Sequence, residues 1–257
     1  MNERIMPVRP RGNNRRSLRL WGLFILLVGV VGQVLMNQIP GLGIMSMGEL
    51  AATFDDSTIA GYSIGALIIQ LLQSCAIPIF AFMLVDGVMH TSSFRNYFLR
   101  VLGLALISEI PYDLLVSGKI FDMSSQNPVF GTVLSMVLIF FYRQYAGKSL
   151  QGILIPAAVL VISFFWVAML SITDGTIMII LVTVLWLTRK KLGRQVFCGC
   201  IVAFVCTALS PFYILAPMMF LAIHFYNGEP DEGNPWFNYL AYPAMLLAGW
   251  LVSTFAL

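Results

Sequence analysis

Five ionisable side chains sit within or at the ends of apolar runs, and their types and spacing define the chemistry open to this chain. They are Asp86, His90, Glu109, Asp113 and Asp174. A charged group in hydrocarbon costs several kcal/mol, so each is a candidate site residue. Asp86 and His90 are four apart, which puts them on one face of a helix. Arg100 follows across a short connection. An acid, an imidazole and a guanidinium at one membrane face can bind an anionic cosubstrate or move a proton. The plainer alternative is an interfacial ion pair that fixes the depth of a helix.

Glu109 and Asp113 are also four apart, in Ser108-Glu109-Ile110-Pro111-Tyr112-Asp113. Two carboxylates on one helical face repel unless a proton or a cation lies between them. Pro111 removes a backbone hydrogen bond there, which suits a wet cavity. Gln126 and Asn127 follow and can donate to a carboxylate. Alternatively, each acid caps or pairs with a neighbouring helix. Asp174, in Ser171-Ile172-Thr173-Asp174-Gly175, reads first as a turn residue. His224, among aromatics, reads as packed and hydrogen-bonded. Cys75, Cys198, Cys200 and Cys206 lie in apolar runs at spacings that suit no zinc site, so no metal is expected. The chain has no P-loop, no dinucleotide-binding glycine pattern and no H-E-x-x-H, which removes ATPases, nucleotide dehydrogenases and zinc proteases.

The elements that must position these residues are transmembrane helices. Charged residues are 11% of the chain and mean hydropathy is +0.85, too few charges to cover a globule in water. A helix needs about 20 apolar residues to cross about 30 Å of hydrocarbon. Candidate spans are 19–37, 63–88, 97–116, 128–142, 150–170, 175–188, 195–209, 211–226 and 236–256. Pro211 makes either a hairpin or one kinked helix, so the count is eight or nine. The expected fold is all-α, a polytopic helix bundle forming one domain over 19–257 behind a basic arm, 1–18. Fourteen of the fifteen Lys and Arg residues fall on one side if the N-terminus is cytoplasmic, which sets that orientation. Arg4, Arg9, Arg11, Arg15, Arg16 and Arg19 then read as an arm held at the membrane surface, and nucleic acid is not an expected partner; the lipid bilayer is. A short amphipathic piece is expected in the outer connection 38–62, which carries Glu49, Asp55 and Asp56. Connection 227–235 is acidic and turn-rich.

The run Pro78-Ile79-Phe80-Ala81-Phe82-Met83-Leu84-Val85-Asp86-Gly87-Val88-Met89-His90-Thr91 resembles the second-span signature of the TraX family. So do Arg100, Ile107-Ser108-Glu109-Ile110-Pro111-Tyr112-Asp113, and Gln126-Asn127 with Thr132. Asp174-Gly175 and Tyr242-Pro243 are similar to later family motifs. The family takes its name from a protein that N-acetylates conjugative pilin and looks related to wider membrane acyltransferases. The resemblance implies a bacterial cytoplasmic membrane, acetyl-CoA or another acyl-CoA as cosubstrate, and an amine or hydroxyl acceptor on a peptide or small molecule. In that scheme Arg100, His90 and Asp86 face the cosubstrate. Glu109, Asp113 and His90 do the chemistry, and Asn127, Gln126 and Asp174 meet the acceptor.

Three of the family's motifs are altered here. Its first span usually carries Asp-His, where this chain has Gly29-Val30. Its last span usually carries a His, where this chain has Met245. Its second-span acid is usually Glu, here Asp86. A subunit that has lost catalysis and binds a membrane partner or peptide is therefore the alternative to an acyltransferase. An ion-coupled transporter using Glu109 and Asp113 is the third class, against which stands the lack of an internal repeat.

Overall fold

A computed structural model describes residues 12–37, 65, 68–148, 150–229 and 235–255. Arg4, Arg9 and Arg11, the 38–62 connection with its expected amphipathic piece, and residues 230–234 lie outside them. The described residues form nine α-helices and no strand: α1 Arg15–Asn37, α2 Ala76–His90, α3 Phe94–Ser117, α4 Val129–Gln144, α5 Gln151–Met169, α6 Gly175–Thr188, α7 Leu192–Val205, α8 Met219–His224 and α9 Pro235–Phe255.

Local sequence sets the ends. Asn14 accepts the Ser17 N–H at 2.8 Å, so α1 begins at Arg15, four residues ahead of the boundary expected between arm and bundle. Residues 13 and 14 belong to the folded body, because Asn13 pairs its backbone with Phe225 and Asn227. Ser93 accepts the Asn96 N–H and starts α3. Gly118, at φ 71°, stops it in the left-handed region that glycine enters without strain. Pro111 lies inside α3 and does not end it.

Three helical segments are long and apolar enough to cross a membrane: α1 Arg15–Asn37, the segment Ile68–His90 that turns at Ser74 and Cys75 and ends in α2, and α5 Gln151–Met169. Five shorter apolar ones accompany them. At Pro211 the chain makes a hairpin. Ser210 is extended, Pro211 opens a 3-10 helix to Met218, and this leads into α8, which returns along α7. Proline suits a first helical position and not a continuing one. Gly199 of α7 faces the Phe220 ring of α8 so closely that a Cβ there would lie 2.3 Å from the ring.

The core is helix on helix. α2 lies innermost, against α1, α6 and α8, with Ile79, Ala81 and Val85 fully buried. Gly131 of α4 sits on the backbone of Gly175, which lets α4 and α6 touch. α5 is peripheral: Ile153, Val161, Phe165 and Met169 face outward. An outer surface of this kind is ordinary in lipid and untenable in water.

Candidate functional site

Two polar clusters occupy opposite ends of the bundle. At the end carrying Arg15, Asp86 is the hub. Its carboxylate is 2% exposed and sits on the last turn of α2. Arg15 Nη2 lies 3.1 Å from Oδ2, and the Tyr226 hydroxyl donates to the same oxygen at 3.0 Å. His90, one turn on, brings Nδ1 to 3.2 Å from Oδ1 and 2.8 Å from the Asp86 carbonyl. A Nδ1 that donates to these oxygens leaves Nε2 as the free base of the neutral ring. The spacing of Asp86 and His90 thus becomes a contact. Arg100 does not join them: it is exposed on α3 and lines no part of the site. Arg15 takes the place expected of Arg100, because the start of α1 packs on α2. Nothing in the sequence singled out Arg15 among six arginines, or Tyr226, which is 140 residues from Asp86.

At the other end, Glu109 and Asp113 share a helical face but not a partner. Asn127, fully buried, donates both its backbone N–H, at 3.2 Å, and its side-chain amide to Glu109 Oε2. The amide also reaches the Ala105 carbonyl at 2.9 Å, and Asn127 Oδ1 accepts the Val129 N–H that starts α4. Asp113 Oδ2 accepts the Asp122 N–H at 2.9 Å. Each acid therefore pins a piece of the 118–128 connection. One oxygen of each, Oε1 of Glu109 and Oδ1 of Asp113, is buried without a hydrogen-bond partner among the described residues.

Gln126 does not donate to a carboxylate. Its side chain goes to the Asp122 carbonyl at 3.1 Å, and its backbone pairs with the α5–α6 turn through Ser171 and Thr173. Tyr112, Ser125 and Thr173 close that joint with a triangle of hydroxyls between 2.7 and 3.0 Å apart. Asp174 precedes α6 at φ 56° without capping it through its side chain, and its carboxylate is turned toward the buried Tyr213. His224 is exposed against the edge of Phe225, not packed in the core, because α8 ends there. Outside the helices, Asp122 is held below the usual carboxylate range, mainly by the Ser124 N–H that it accepts.

A cavity of about 420 Å³ runs between the two ends. Arg15, Arg19, His90 and Tyr97 stand at its first end, and Pro128, Val129 and Tyr242 at the second. Leu23, Leu26, Phe80, Met83 and Leu104 line the middle. Along α2 it extends from His90 to Ile77, a rise of about 20 Å. Glu109 is not in its wall. It acts on the wall through Asn127, whose neighbours Pro128 and Val129 are. Among the described residues no group of three His, Cys, Asp or Glu side chains is placed to hold a metal.

The departures at 29, 30 and 245 converge in space. Val30 and Met245 pack in one apolar cluster with Tyr112 and Tyr242. Gly29 faces Gln73, whose side chain lies where a Cβ at 29 would need to go. An apolar patch beside Tyr242 thus replaces the residues that the family resemblance would put there.

Apolar helices, a buried carboxylate hub and a cavity with a basic mouth define a helical membrane protein with an internal site. A family model described as TraX protein matches residues 19–253, and the chain belongs to the TraX family. No curated protein and no solved structure matches it.

Proposed function

We propose that this protein transfers an acyl group from acyl-CoA, acetyl-CoA being the simplest, to an amine or hydroxyl acceptor on a peptide or small molecule in the bacterial cytoplasmic membrane. The observation that carries this reading is the cavity that begins at Arg15, Arg19 and His90 and continues through apolar walls to Tyr242. Two guanidinium groups at its mouth suit the phosphates of the cosubstrate. His90 Nε2 accepts the proton of the acceptor. The freed nitrogen or oxygen attacks the thioester carbonyl, the carbon–sulfur bond breaks, and coenzyme A leaves as a thiolate that takes the proton back from His90. Asp86 holds the ring through Nδ1 and balances the imidazolium. Glu109 and Asp113 position the far wall.

Nine passages with the N-terminus inside place Phe255 outside. A phosphatase active only beyond the membrane, fused after Phe255, is then active, and a fluorescent protein that folds only in the cytoplasm stays dark there.

A second reading rests on Val30 and Met245: with apolar side chains at both positions, the chain serves as a non-catalytic subunit that binds a membrane partner or peptide. Thiol release from acetyl-CoA by the protein in nanodiscs, with amine-bearing peptides as acceptors, separates the two. Acyl transfer requires turnover that falls about 10²–10⁴-fold in His90→Ala. Absence of turnover together with absence of coenzyme A binding leaves the subunit reading.

A further inference from the structure

The cavity that begins at His90 is apolar through its middle, where Leu26, Phe80, Met83, Leu84 and Leu104 face it. Among the described residues that line it, the side chains able to hydrogen-bond gather at the two ends. Thr91, Tyr97 and Tyr239 stand with the basic mouth, and Thr132 and Tyr242 at the far end. An occupant of the middle therefore meets no donor or acceptor from these walls. A peptide brings an N–H and a carbonyl for every residue, and the pantetheine arm of coenzyme A brings two amides. Such groups are costly to bury unpaired. An acetyl group has two carbons and would leave most of the space unfilled. An alkyl chain carries no polar group and suits the walls along their whole length.

The size of the cavity sets the length of the chain. An extended alkyl chain rises roughly 1.3 Å per carbon, from carbon–carbon bonds of about 1.5 Å. The path of about 20 Å along α2 then holds roughly fifteen carbons. A methylene takes up roughly the space of a water, about 30 Å³, so about 420 Å³ holds roughly fourteen. Length and volume agree. We propose that this cavity is an acyl-chain pocket and that the cosubstrate is a long-chain acyl-CoA. Its thioester lies at His90, its coenzyme A part stays at the mouth, and its chain runs along Met83, Phe80 and Leu104 toward Tyr242. The thioester rests on the acyl-transfer reading; the chain rests on the cavity walls.

Calorimetry with S-alkyl thioethers of coenzyme A, which cannot transfer their chains, tests this on the full chain in nanodiscs, with empty nanodiscs subtracted. The expected result is an affinity that rises by up to about fourfold per carbon and stops rising near fourteen carbons. Leu104→Trp fills part of the cavity and moves that ceiling to a shorter chain. Leu26→Phe, a smaller intrusion, moves it less. Phe165→Trp, on the outward flank of α5, leaves it in place. Affinity that is greatest for the two-carbon thioether and gains nothing with length overturns the proposal, because the cavity then takes the pantetheine arm. A rise without a ceiling, or a ceiling that neither cavity variant moves, overturns it as well, because that is partition into the bilayer. So does failure of every thioether to bind, because a bilayer lipid or a peptide then holds the cavity. A ceiling that moves with Leu104, without thiol release from tetradecanoyl-CoA when amine-bearing peptides are supplied, upholds the chain pocket and removes the transfer reading alone.

Discussion

Arg15 and Asp86 are far apart in the chain, and their side chains meet at 3.1 Å. The acid is 2% exposed and the arginine 24%, so the pair straddles the boundary of the bundle, its negative half inside and its positive half reaching outward. That asymmetry decides what each substitution does.

Asp86→Ala removes the only acid at the knot among the described residues and leaves Arg15 and Tyr226 without their carboxylate, while His90 keeps the backbone carbonyl at 86. Arg15→Met leaves the Asp86 carboxylate buried without its cation, and breaking a buried pair in that way costs about 3–5 kcal/mol. Asp86→Ala costs less, because the guanidinium it leaves behind reaches outward to water. The double variant recovers part of the Arg15 loss. Thermal unfolding in detergent, followed by circular dichroism, measures all three; equal losses in the two single variants would contradict the asymmetry.

Asn127→Ala deletes three side-chain hydrogen bonds, to Ala105, Glu109 and Val129. At about 1 kcal/mol net for each, the loss is about 3 kcal/mol. Asn127→Asp is worse, since it sets a second carboxylate against Glu109. Chemical denaturation of the detergent-solubilised protein gives both values. If Asp is tolerated better than Ala, Glu109 carries a proton in the folded state.

Gly199→Ala pushes a methyl group into the Phe220 ring and tests the hairpin at Pro211. Overpacking of this kind costs about 1–3 kcal/mol. Combined with Phe220→Leu, the substitution costs less than the two separate losses added together, because the smaller side chain makes room. Strict additivity in the melting temperatures would mean that α7 and α8 do not touch there.

The Asp122 side chain gives a pH test. Its carboxyl is held below the ordinary value by the Ser124 N–H. A lowered folded-state value contributes stability above the ordinary Asp range, and this is lost as pH falls through the lowered value. Hydrogen-exchange protection of the Ser124 amide, corrected for the intrinsic rate, should therefore weaken in that acid window. Asp122→Asn should show no such step. A step of equal size in the variant would assign it elsewhere.

Much of the architecture was legible because hydropathy is a strong signal. Apolar runs gave the helices, and the i,i+4 spacing of Asp86 and His90 gave a real contact. The same spacing misled at Glu109 and Asp113: sharing a face says nothing of what lies opposite, and each acid is taken up by a different backbone N–H of the 118–128 connection. Arg100 was expected near Asp86 and His90 because only a short connection separates them in sequence. The true partners, Arg15 and Tyr226, come from helices that only the packing brings together. Pro211 was ambiguous because a proline can kink or end a helix, and the extended Ser210 before it decides for the turn.

The joint of Asn13 with Phe225 and Asn227, beside the Tyr226 bond to Asp86, ties α1 and α2 to the much later α8. During synthesis, Asp86 and Arg15 are in the membrane well before Tyr226 leaves the ribosome. This joint is therefore latched late in synthesis. A nascent chain arrested before Tyr226 carries a carboxylate with one donor too few and an α1 whose start is not yet fastened.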